Sequence, residues 1–190
     1  MTAFFSSKKR ILIFLAAAAI LLGGGFYFLQ NRGPKLLTDV DVSYPAGWQE
    51  QALNDAERAV GILLRLSRTS PDAAVFVRTI IGVLEEGFQI QTLGDEVSRS
   101  LGASLKGFEL VSQGVVSLGS LEAVEVRYTQ KDEGDNKLYE ALLVVIPTPQ
   151  QTFFLTFRSL EKDFSQVESE AKELEAGLGA YITDKLTNKP

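Results

Sequence analysis

The densest group of oxygen donors in the sequence is Asp132, Glu133, Asp135 and Asn136, gathered around Gly134. Carboxylate and amide oxygens in that number are what a calcium ion takes. Their spacing is not that of a helix-flanked calcium loop, so they stand as a calcium candidate beside the plainer reading of a solvated hairpin tip. Glu85 and Glu86 are a second carboxylate pair. General acid and base work needs two such groups in different environments, and adjacent residues on a regular element point apart. Ser and Lys are plentiful, yet no motif brings one of each together as a nucleophilic dyad. Tyr44 and Trp48 offer aromatic surface to a partner or a lipid interface, against the ordinary use of such residues to plug the edge of a core.

The chain has no His and no Cys. That removes the commonest general base, thiol nucleophiles, the usual zinc sites and disulfides. It also leaves no cysteine for a lipid anchor. No cofactor is expected and the chain reads as a non-enzyme, with a hydrolase as the remotest alternative.

The elements that would position these residues begin with a membrane segment. From Ile11 to Leu29 the sequence is uncharged and mostly apolar, with Phe14, Leu22 and Phe26 among its bulky members. As a helix it would reach about 28 Å, close to the thickness of a bilayer's hydrocarbon core. Lys8, Lys9 and Arg10 stand directly before it. By the positive-inside tendency residues 1–10 stay in the cytoplasm and the C-terminal part is exported. A cleaved signal peptide is the main alternative, but bulky Phe26, Tyr27, Phe28 and Leu29 occupy the place of a small-residue cleavage site. The basic cluster set aside, 16 of the 19 Lys and Arg face all 24 Asp and Glu, a net charge of about −8. Such a body repels phosphate backbones, so nucleic acid is not an expected partner.

Residues 30–39 read as a linker and 40–190 as one domain. Val40, Val42 and Tyr44 alternate with polar residues, which predicts a first strand ending at Pro45. Asn54-x-x-Glu57 has the form of a capping box, while 62–68 alternates as a strand, so 54–68 is ambiguous with a strand favoured in its second half. Ser70-Pro71-Asp72 is a turn, and Ala74–Ile81 the strand returning from it. Leu93, Val97, Leu101 and Leu105 predict an amphipathic helix over 92–106, stopped at Gly107. Residues 82–91 carry no clear pattern. Strands are then predicted at 108–118, 122–130, 137–146 and 152–159, parted by turn residues and therefore paired as an antiparallel meander. Tyr139–Ile146 is apolar on both faces and needs cover on both. A last helix opens at the capping box Ser165-x-x-Glu168 and presents Val167, Ala171, Leu174, Leu178 and Tyr181. The fold class is α+β: an antiparallel sheet of about six or seven strands with helices on both faces.

In this order the domain resembles the PsbP-like superfamily. The residues that carry the resemblance are Tyr44-Pro45-Ala46-Gly47-Trp48, Leu64-Arg65-Leu66-Ser67-Arg68 running through Pro71-Asp72-Ala73 to Val75-Phe76-Val77-Arg78, Gly107-Phe108-Glu109-Leu110-Val111-Ser112, Glu122 to Tyr128, and Phe153-Phe154-Leu155-Thr156-Phe157 leading into the last helix. The resemblance implies a non-catalytic extracytoplasmic domain that assists the assembly or stability of a membrane complex. It does not imply photosynthesis, and no ligand positions match the metal chemistry of the plant members. The leading expectation is a bacterial envelope module tethered in the bilayer through residues 11–29, recognising an unnamed protein or envelope ligand by a sheet edge or a helix-sheet cleft. The alternative is a calcium or ligand sensor signalling through its helix.

Overall fold

The computed structural model describes residues 36–82, 88–132, 134 and 136–187. The proposed anchor, its flanking Lys8, Lys9 and Arg10, and the pair Glu85 and Glu86 lie outside them. No helix among the described residues is long and apolar enough to cross a membrane.

In chain order the elements are β1 (Gln49–Glu50), α1 (Asp55–Ala59), β2 (Ile62–Thr69), β3 (Asp72–Ile81), α2 (Ile90–Ser104), β4 (Glu109–Leu118), β5 (Leu121–Lys131), β6 (Leu138–Pro147), β7 (Gln151–Leu160) and α3 (Glu161–Thr187). The strands form one antiparallel sheet of seven, ordered β1-β2-β3-β7-β6-β5-β4. The chain meanders through β1 to β3, crosses to the far edge with α2, then meanders back from β4 until β7 closes against β3. Both readings of 54–68 are right in part. Asn54 and Glu57 do form the capping box, but over a helix of five residues that gives way to β2.

Each face of the sheet has its own core, because β6 is apolar on both sides and buried from Tyr139 to Ile146. On one face Leu142, Val144 and Ile146 join Leu155, Phe157, Val75 and Leu66 under α3, which contributes Phe164, Val167, Ala171, Leu174, Leu178 and Ile182. On the other, Ala141, Leu143 and Val145 join Val124, Val126 and Tyr128 under Ile90, Val97 and Leu101 of α2. This is the two-sided cover that the sequence of β6 demands.

Two expectations need correction. Residues 40–44 are not a strand. Val40 is buried and Asp41 exposed, as a period of two requires, but the segment runs over α3 without a ladder partner. Just before it, side chains meet the backbone: Leu37 N–H donates to Gln151 Oε1 at 3.0 Å, and the Tyr181 hydroxyl donates to the Asp39 carbonyl at 3.3 Å. The strand that opens the sheet is β1, paired with Ser67 and Leu66. The last helix starts at Glu161, not at Ser165. Phe164, 1% exposed, lies in its first turn, and burial of that ring holds the turn before the Ser165 box is reached.

Beneath α3 one carboxyl is held away from water. Glu175 is 3% exposed and accepts from Lys172 Nζ at 3.0 Å, while the same ammonium donates to Glu125 of β5. Burial first, and then the neighbouring Glu125 carboxylate, push Glu175 up to about 7. A carboxyl raised above its unfolded value favours the folded state in its protonated form. Its stabilising effect is whole below about pH 4.5 and is lost as pH rises through 7. Thermal melts between pH 5 and 8 should therefore fall with pH. Glu175→Gln should flatten that slope and be the more stable protein at pH 8, by about 1–2 kcal/mol after allowance for solvent near the pair. A slope unchanged by the substitution would refute the assignment.

Candidate functional site

β4 is the long open edge of the sheet, ten residues against two for β1 at the opposite side. An edge strand shows a row of unpaired backbone donors and acceptors, and proteins normally guard it with charges, proline, a bulge, a covering helix or a very short strand. β4 contains no Lys and no Pro, and its only charge, Glu109, stands at its first position. A bulge between Leu110 and Ser112 disturbs its start, after which the pairing with β5 is regular to Leu118. Leu110, Val111 and Val115 are 45%, 52% and 42% exposed.

The alternation along this edge follows from its turn. Gly119 and Ser120 form a two-residue loop between Leu118 and Leu121, with Gly119 at φ 66°. The pair closing such a loop exchanges both its hydrogen bonds. The backbone groups of Leu118, Val116, Gly114 and Ser112 therefore face β5, and those of Ser117, Val115 and Gln113 face outward.

α2 flanks this edge and leaves a shallow groove of about 110 Å³ lined by Gln91, Gly94, Gln113, Gly114, Val115 and Val124. The absence of a side chain at Gly94 lets the helix come close, since a Cβ there would already touch Val124 Cγ1 at 3.4 Å. Gln113 is held in place by α2: Ser98 Oγ donates to its Oε1 at 2.6 Å, and its Nε2 donates to Asp95 Oδ1 at 2.5 Å. The groove walls are set before any partner arrives.

Several ionic groups elsewhere are engaged in packing the fold. Glu170 of α3 accepts from Trp48 Nε1 at 2.6 Å and from Arg68. Burial opposes its ionisation, but these two donors outweigh burial and hold the carboxyl below the usual glutamate range. Arg65 meets buried Glu57 at 2.8 Å. Arg127 bridges Glu140 and Glu168 and lies over the Phe164 ring. None of these opens a titratable pair onto the groove.

The sequence-predicted site residues are scattered. Trp48 is 5% exposed and packs edge-on to Phe157 with ring centroids 5.5 Å apart, so it belongs to the core and not to a contact surface. Tyr44 alone of that pair is exposed, at 38%. Of the calcium candidates, Glu133 and Asp135 lie outside the described residues. Asp132 is engaged by Arg158 at 3.2 Å and by the Gly134 amide at 2.8 Å. Asn136 takes a left-handed φ of 55° in the turn. Among the described residues no group of three acidic side chains is arranged to hold a metal. Leu110, Val111 and Val115 were not read as an exposed edge in the sequence, where the only sign of it was a ten-residue strand with a single charge.

No family model and no curated protein matches this sequence. Among solved structures, LpqN of Mycobacterium tuberculosis, described as involved in cell envelope biogenesis, aligns with a TM-score of 0.53. The match covers 74% of this chain and 79% of LpqN at 15% identity. The two share a fold. The PsbP-like superfamily that the sequence resembles is represented among the neighbours by PsbP of Synechocystis sp. PCC 6803, at a TM-score of 0.49 and 14% identity, over 78% of this chain and 96% of that one. At identities this low the likeness is one of fold alone.

Proposed function

We propose that the chain is a non-catalytic binding and assembly module, tethered by residues 11–29 to the outer face of a bacterial cytoplasmic membrane, that takes an extended protein segment onto the free edge of β4. The observation that carries this reading is the regular, uncharged stretch of open edge beyond the bulge: Gln113, Val115 and Ser117 turn backbone groups outward beside a groove with an apolar wall. Strand addition draws affinity from main-chain hydrogen bonds and selectivity from pockets for alternate side chains. The likeness in fold to LpqN, itself described as involved in envelope biogenesis, agrees with an extracytoplasmic setting. The ion pairs of Glu57, Glu140, Glu168 and Glu170 serve the packing of α1 and α3, which supports reading the chain as a binding module.

A photo-crosslinking residue placed at Leu110 in the full chain, in intact membranes, should capture a protein. The same probe at Glu50 on the opposite edge should not. Val115→Lys should abolish capture while shifting unfolding free energy by no more than about 0.5 kcal/mol, because the side chain is exposed. Equal capture from both edges, or capture indifferent to the lysine, would remove the proposal.

A further inference from the structure

Resting on the edge reading above, we infer that the strand accepted by β4 is β4 of a second copy of this chain, paired antiparallel about a two-fold axis at Val115. The outward-facing residues are Gln113, Val115 and Ser117, evenly spaced about Val115 although Gln113 and Ser117 differ in side chain. Antiparallel pairing about Val115 sets Val115 against Val115 of the second copy, Gln113 against Ser117 and Ser117 against Gln113. Each of these is a hydrogen-bonded pair exchanging an N–H and a C=O in both directions. An isologous contact requires this self-matching, and it closes at two copies without leaving a free end.

Charge argues for a second copy as well. The chain carries a net charge of −5, so most of its surface repels another copy. The stretch Ser112 to Leu118 is uncharged and Glu109 falls outside the paired segment, so no like charges meet within the paired strands themselves, although Asp95 holds Gln113 and Glu122 stands opposite Ser117. On the α2 face the two Val115 side chains, each 42% exposed, would cover one another. The bulge after Leu110 lies beyond the seven paired residues and leaves the ladder intact. The result is one sheet of fourteen strands running through both copies, its two long edges joined.

The natural chain contains no cysteine, which makes single introduced cysteines unambiguous reporters. Val115→Cys in the full chain in membranes should form a disulfide-linked dimer on mild oxidation, since paired Cα atoms about 5.5 Å apart are within disulfide reach. Ser117→Cys should not link to itself, its mate lying about 13 Å away along the strand. Ser117→Cys chains mixed with Gln113→Cys chains should link. Absence of the Val115→Cys dimer, or equal linking by Ser117→Cys alone, overturns the inference. If the probe at Leu110 captures a different protein while Val115→Cys stays monomeric, the self-pairing falls and the edge reading stands. If neither captures anything, both fall.

Discussion

Phe157→Ala is expected to lower the unfolding free energy by about 3–5 kcal/mol, the range for deleting a buried aromatic ring. Phe157 is 1% exposed at the middle of β7, paired with Val75 on one side and Leu142 on the other. Its ring stands edge-on to Trp48 at 5.5 Å and perpendicular to Phe164 at 5.7 Å, so three aromatic groups lose their common contact when it goes. Elements of three origins meet there: the segment before β1, the sheet and the first turn of α3. The cavity cannot close by moving one of them alone, because β7 is held by ladders on both sides. Trp48 is the only tryptophan, so its fluorescence reads this site directly in a urea titration. A midpoint shift no larger than that of Leu110→Ala, an exposed position, would show that the α3 core does not carry the fold.

The strands of the meander were legible to within two residues because both their signals are local. Alternation marks β5, two-sided apolarity marks β6, and Gly119-Ser120 marks the turn between β4 and β5. The amphipathic helices were legible for the same reason, down to Val97 and Leu101 on one and Leu174 and Leu178 on the other. What failed was everything that depends on a partner distant in sequence. Period-two alternation at Val40 and Val42 reports an extended chain beside a core, and it cannot report whether a strand lies alongside. Just upstream, the backbone of Leu37 and Asp39 is met by Gln151 and Tyr181, more than a hundred residues away. The capping box at Ser165 was a true local pattern overridden by burial of Phe164.

The site was less legible than the fold, and the reason is physical. A binding edge is defined by a strand that is missing from one side, and strand order is not written in any local pattern. Once β7 is known to close against β3, β4 is left with one neighbour, and its lack of Lys and Pro becomes informative. The carboxylates that stood out in the sequence were Asp132 with its neighbours and the pair Glu85 and Glu86, not the ones the fold uses. Glu57, Glu140, Glu170 and Glu175 turn out to neutralise or hydrogen-bond groups packed between sheet and helix. Asp132, the one described acidic member of the calcium candidates, is likewise committed to Arg158. In a chain without disulfides, such pairs add polar ties between the sheet and helices α1 and α3.

Gly61→Ala is the second large effect expected, about 2–5 kcal/mol, and it tests how the two halves of the ambiguous segment are joined. Gly61 follows the short helix α1 and takes φ +83°, a left-handed conformation that costs an L-residue about 1–2 kcal/mol. Its amide donates to the Arg58 carbonyl at 3.0 Å and its carbonyl accepts from Thr79 at 2.8 Å, so it cannot rotate out of that state without loss of both. A Cβ added there would fall 2.3 Å from the Thr79 carbonyl oxygen. That oxygen cannot yield, because Thr79 sits in β3 opposite Phe153 of β7. Gly119 supplies the control. It too has positive φ, +66°, but an added Cβ would find its nearest neighbour, Thr183 Oγ1, at 3.8 Å. Gly119→Ala should therefore cost only the backbone term, about 1–2 kcal/mol. If the two substitutions shift the urea midpoint equally, the close approach of Gly61 to β3 is not a feature of the folded protein, and α1 is free of the sheet it is drawn against.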